Sequence, residues 1–185
     1  MFWNFGGPSL NEITELLKSE NCKLEDVLLQ STLSQAIRNS LKELIEFIGR
    51  DEVFNDLFDY VLTNKHIEDQ NSQKLTRNAL SLITATSQQI QKNISNHKLF
   101  IQRIQGFLTQ NSSDGSFNDA RIGGHFQRIL EHFVRQSSGK LLGKLNGLST
   151  FLIHNMSILG LRELFVLLNT DFSEKFNLET EDIKE

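Results

Sequence analysis

An all-α fold follows from three features of this sequence. Apolar residues recur at helical spacing in one segment after another. No stretch shows period-2 alternation bounded by turn pairs. A single proline interrupts 185 residues, so few positions force a break. The chain is long enough to bury a core without disulfide or metal staples. Its 38% hydrophobic and 23% charged content is that of an ordinary soluble globular protein. Fourteen phenylalanines against one tyrosine and one tryptophan is an unusual aromatic balance.

Ser9-Leu10-Asn11-Glu12 is a capping box directly after Pro8. It predicts a short helix with Leu10, Ile13, Leu16 and Leu17 on one face. LEDVLL, residues 24–29, predicts a second short turn or helix. Ile37, Leu41, Leu44, Ile45 and Ile48 then form one apolar stripe, which predicts a continuous amphipathic helix stopped by Gly49. Asp51 is placed to cap the next helix, built on Phe54, Leu57, Phe58, Val61 and Leu62. About two residues join these helices, so they run antiparallel.

Residues 64–72 are polar and predict a loop. Leu75, Ala79, Leu82 and Ile83 mark a further helix. SQQIQKNISNHK, residues 87–98, carries only Ile90 and Ile94 and reads as a mobile or solvent-facing helix. Phe100, Ile101, Ile104, Phe107 and Leu108 restore the period. TQNSSDGSFND, residues 109–119, is rich in Ser, Asn, Asp and Gly and predicts the clearest loop. Ile122, Phe126, Ile129, Leu130, Phe133 and Val134 predict a strong helix. Short helices follow around Leu141–Leu145 and Leu148–Ile153, and Ser157 is placed to cap a last one through Leu168.

Short to medium helices with tight links, recurring as pairs and triplets, suit an armadillo-like or HEAT-like stack, an α-solenoid, better than a four-helix bundle. The expected organisation is a single helical repeat domain over residues 1–170 and a frayed acidic tail over 171–185. The opening MFWNF reads as a short aromatic arm, turned by Gly6-Gly7-Pro8 into the first helix. Burying a large aromatic side chain contributes about 1.5–3 kcal/mol. Phe2, Trp3 and Phe5 can therefore pin a loose terminus to the chain's own helices; the other reading inserts Phe2 and Trp3 into a partner.

Charge is uneven. Residues 1–70 carry 13 acidic and 6 basic side chains, net −7. Residues 71–170 carry 4 acidic and 11 basic, net +7, and residues 171–185 carry 6 acidic and 2 basic, net −4. Arg121, Arg128 and Arg135 recur every seven residues beside His125 and His132, with Lys140 and Lys144 just after. On one helix they form a stripe, either a docking ridge for an acidic partner or the plain outer face of an amphipathic helix. The chain as a whole is acidic and no aromatic platform interleaves the basic residues, which argues against nucleic acid as a partner.

Signatures of reaction chemistry are few. A zinc pair on a helix wants histidines at i and i+4 with a third ligand, whereas His125 and His132 are at i and i+7. Gly123-Gly124 and Gly139-Lys140 do not make a phosphate loop, because Val134 holds the first glycine position and Leu141 follows the lysine. The lone Cys22 excludes an internal disulfide and a cysteine zinc site, points to a reducing compartment, and lacks the basic setting of a reactive thiolate. No catalytic residue, cofactor or metal is expected. No apolar run is long enough to span a bilayer. The N-terminus lacks the basic and continuous apolar regions of a secretory signal, and Phe2 excludes myristoylation.

MFWNF, followed by a helix containing ITELL, resembles the start of the SAPS-domain proteins, regulatory subunits of phosphatase 6-type Ser/Thr phosphatases. KLEDVLL (23–29) is similar to the short TL-x-ELL-like segment that follows there. SQAIRNSLKELIEFI (34–48) is similar to the next family helix, with Gln35, Arg38, Leu44, Ile45 and Phe47 fitting and Ala36 and Leu41 departing. FNDARIGGHFQRILEHFV (117–134) keeps Phe117, Asn118, Phe126 and Ile129 of a later family stretch but lacks its proline. FLIHNMSILGLRELFVLL (151–168) resembles a further one at His154 and the closing leucines. Residues 64–98 match poorly, and the resemblance is to the N-terminal portion of longer proteins. It implies a non-catalytic helical-repeat subunit, cytoplasmic and also nuclear, that binds a Ser/Thr phosphatase catalytic subunit and directs its substrate choice. The metals and the hydrolysis would belong to that subunit. The other reading, from the stripe alone, is a stand-alone adaptor that holds an acidic protein or a membrane surface.

Overall fold

The computed structural model describes residues 10–68, 70–111 and 117–176, with side chains through 170. The described residues are helical, with no strand, and the chain divides into two compact units, Met1–His97 and Lys98–Glu185. Phe2, Trp3, Phe5 and the Ser9 cap lie outside the described residues.

The first unit contains α1 (Leu10–Lys18), α2 (Leu24–Leu29), α3 (Leu33–Arg38), α4 (Lys42–Ile48), α5 (Asp51–Leu62), α6 (Ser72–Ile83) and α7 (Gln88–Asn96). Helix α1 packs on α2, α3 and α4, while α6 lies against α2, α5 and α7. Ile13, Val27, Leu28, Leu44, Phe54, Leu57, Phe58, Val61, Leu75 and Leu82 are sealed from solvent at the centre. Helix α2 is a turn and a half long, so its last carbonyls have no partner within it. Side chains of α6 meet them: Asn78 Nδ2 donates to the Leu28 carbonyl at 2.6 Å and Lys74 Nζ to that of Leu29 at 3.3 Å.

Three local expectations are corrected here. The stripe from Ile37 to Ile48 is not one helix, because Ser40 takes φ 52° and ends α3. The Leu41 N–H bonds the Ala36 carbonyl and the Ser40 N–H that of Ile37, the double bond pattern of a Schellman cap. Ser40 Oγ is held 2.6 Å from Ser87 Oγ, a contact 47 residues away that no local pattern reveals. The core face therefore comes from Leu33, Ala36, Leu44, Phe47 and Ile48, while Ile37, Leu41 and Ile45 are half-buried. Asp51 is not a cap; it is the first residue of α5, and Arg50 precedes it without a side-chain bond. Helix α7 does not face solvent all round. Ser87 caps it, and Ile90 and Ile94 are fully buried where α7 meets α4 and α6.

The second unit contains α8 (Phe100–Asn111), α9 (Ala120–Gln136), a 3-10 turn (Leu142–Lys144), α10 (Leu148–His154) and α11 (Leu159–Phe176). Helix α11 packs on α9 and α10, and α10 on α8. The core is a phenylalanine cluster: Phe107 stacks on Phe126 at 4.5 Å, and Phe151 stands edge-on to both at 5.7 Å. Such offset and edge arrangements contribute beyond the area they bury. Helix α8 runs into the segment expected to be a loop, because Thr109 Oγ1 and Asn111 Nδ2 bond back to carbonyls four residues earlier. Helix α11 runs through Phe176, eight residues beyond the expected end at Leu168.

Candidate functional site

The basic stripe sits on α9. Asp119 caps this helix, its Oδ1 accepting from the Ile122 N–H at 2.9 Å. Seven residues turn an α-helix almost twice, with a drift of about 20°, so Arg121, Arg128 and Arg135 form one exposed row. Phe126, Ile129, Phe133 and Val134 fill the opposite face. Two of the three arginines are engaged locally. Arg121 Nη2 lies 3.8 Å from Asp119 Oδ2, and Arg135 Nε donates to Glu131 Oε1 at 3.0 Å. Glu131 also accepts from Gln127 Nε2. Arg128 has no carboxylate within ion-pair distance among the described residues, and the same holds for Lys140 and Lys144.

His125 and His132 flank the row, half-buried. The His132 ring stands edge-on to Phe133 at 5.0 Å, and burial pushes its pKa below the ordinary 6.5. It is therefore neutral at physiological pH and adds no charge to the ridge. Among the described residues no group of three or more His, Cys, Asp or Glu could hold a metal ion. Burial, and then the charge of Asp26, push the Cys22 thiol up, against a smaller opposing effect of Arg50. Cys22 is thus a thiol at neutral pH, in keeping with its lack of a basic setting.

Gly123 and Gly124, rejected as a phosphate loop, make a helix crossing. A methyl group built on Gly160 of α11 would sit 3.1 Å from the Gly124 Cα, and one on Gly123 would sit 2.8 Å from Ile158 Cγ2. A methyl group on Gly124 would meet nothing within 4 Å, so the crossing is open on that side. Beyond it, α11 exposes two large apolar residues one heptad apart, Leu159 at 57% and Val166 at 51%. No described helix is long and apolar enough to cross a membrane.

A second cluster was also hidden in the sequence. His97 Nε2 lies 3.1 Å from the Gly49 carbonyl and 3.6 Å from Asp51 Oδ1, with its ring stacked on Phe54. It ties the end of α7 to the α4–α5 link. The open depression at the start of α6, lined by Asn71, Ser72, Gln73, Lys74 and Arg77, contains no acid–base pair.

The chain is similar to serine/threonine-protein phosphatase 6 regulatory subunit 3 of Gallus gallus, with 23% identity over 114 residues, which is 60% of this chain. The match spans 13% of that protein's length. No protein-family model matches the chain, and no solved structure matches it.

Proposed function

We propose that this chain is a phosphatase-regulating scaffold without a reaction centre of its own. In this reading it holds a phosphatase 6-type Ser/Thr catalytic subunit on a helical-repeat surface and biases which substrates reach it. The observation that carries the proposal is the similarity to a phosphatase 6 regulatory subunit. The all-helical architecture of the described residues, short helices packed on one another within each unit, is compatible with it. The aromatic arm of Phe2, Trp3 and Phe5 and the row Arg121, Arg128 and Arg135 are the surfaces we assign to partners.

Co-precipitation tests the reading. Tagged full chain, mixed with purified phosphatase 6-type catalytic subunit, is expected to recover it. Failure to do so under conditions where the chicken regulatory subunit succeeds would overturn the proposal.

A further inference from the structure

The α9–α11 pair presents a groove on its outer side. Its floor is the crossing of Gly124 and Gly160, where the two backbones approach without side chains between them. At about 100° per residue, Arg121, Arg128 and Arg135 lie within roughly 60° of Gly124, on the side away from the buried face of α9. On α11, Leu159 and Val166 lie on the opposite side of Gly160 from the buried Leu161 and Leu164, with exposed Arg162 between them in sequence. One wall is therefore a row of guanidinium groups and the other an apolar ledge. Glu163 and the paired Glu131 also border the floor.

We propose that this groove docks an acidic amphipathic helix of a partner protein. Its apolar side chains would rest on Leu159 and Val166, and its carboxylates would reach Arg128 and Arg121. Charge complementarity argues for that occupant. The complementarity is local, since Lys98–Glu185 as a whole carries ten basic and ten acidic side chains, net 0: on this face Arg121, Arg128, Arg135 and Arg162 are exposed, and Arg128 and Arg162 have no carboxylate partner among the described residues. A helix lying along the row can present carboxylates at i and i+7, the spacing of the arginines. A guanidinium already exposed and unpaired gains a charge-assisted bond without first losing one. The heptad spacing of Leu159 and Val166 matches two turns of such a helix. The inference stands on the second unit alone; it names the chemistry that the arginine row would hold and does not require the occupant to belong to a phosphatase.

The test uses isotope-labelled full chain and a synthetic helical peptide of about 15 residues, with leucines on one face and glutamates along its edges. A twin peptide carries lysine for every glutamate. The glutamate peptide is expected to bind saturably, shift the amide signals of α9 and α11, and bind at least about tenfold more tightly than the lysine twin. Gly124→Leu fills the open side of the crossing and should weaken binding about tenfold or more, as should Arg128→Glu. Far-UV circular dichroism checks that each variant is folded; should Gly124→Leu unfold, Arg128→Glu combined with Arg162→Glu decides the matter. Equal binding of both peptides, shifts confined to other helices, or binding undiminished in the folded variants would overturn the inference. Capture by phosphatidylserine vesicles without peptide binding would overturn it in favour of a membrane surface.

Discussion

The imidazole of His97 lies flat against the ring of Phe54, with centroids 3.8 Å apart and planes 5° from parallel. The His97 side chain is only 7% exposed, and its Nε2 faces the Gly49 carbonyl. The contact joins the end of α7 to the start of α5 and fixes the two-residue link after α4. His97→Ala should therefore cost about 2–3 kcal/mol, combining a cavity with a lost polar contact. His97→Phe keeps the stack and should cost about 1 kcal/mol. Urea denaturation measures both; a cost for His97→Ala no larger than that of a surface change would contradict the role.

The glycine crossing predicts opposite signs for two similar substitutions. Gly160→Ala places a methyl group 3.1 Å from the backbone of α9, so the helices must part, at about 1–3 kcal/mol. Gly124→Ala enters open space and should gain about 0.5–1 kcal/mol from reduced unfolded-state entropy. Thermal unfolding of the two variants side by side should show one Tm falling and the other rising.

Ser138 takes φ 51° after α9, and the N–H of Gly139 completes the cap on the Val134 carbonyl. A left-handed residue with a Cβ costs roughly 1 kcal/mol over glycine. Ser138→Gly should raise stability by about 0.5–1 kcal/mol, read as a shift in urea midpoint at unchanged slope. An unchanged or lower midpoint would contradict the strain.

His132 gives a pH dependence of known sign. Its folded pKa is lowered by burial, so on acidification the unfolded state takes up its proton first. The contribution of neutral His132 is fully present above the unfolded value of 6.5 and is lost as pH falls from there through the depressed folded value. His132→Gln should flatten the stability profile below about pH 6.5 relative to the parent chain. A difference between the two proteins that does not change between about pH 7.5 and pH 5.5 would contradict this.

Helices with dense periodicity were legible from the sequence. The buried residues of α5 and α9 include all those their spacing predicts, because five or six apolar residues on one face leave a helix only one way to pack. Elements shaped by distant partners were not legible. Leu41 continues the apolar period, yet the chain breaks at Ser40, whose hydroxyl meets Ser87. Helix α7 looked too polar to be buried, but two isoleucines suffice when α4 and α6 enclose them. At the candidate site, the arginine row is written in the seven-residue spacing. Its local pairing with Asp119 and Glu131 and the apolar ledge on α11 emerge only from tertiary structure.

The proposed role, holding a phosphatase catalytic subunit, is decided by a calorimetric titration of the purified full chain into purified phosphatase 6-type catalytic subunit. Saturable binding at one site per chain is expected, with activity toward a small chromogenic phosphate ester retained while rates on protein substrates change. An absence of binding heat at every temperature tried, together with unchanged rates on protein substrates, would contradict it.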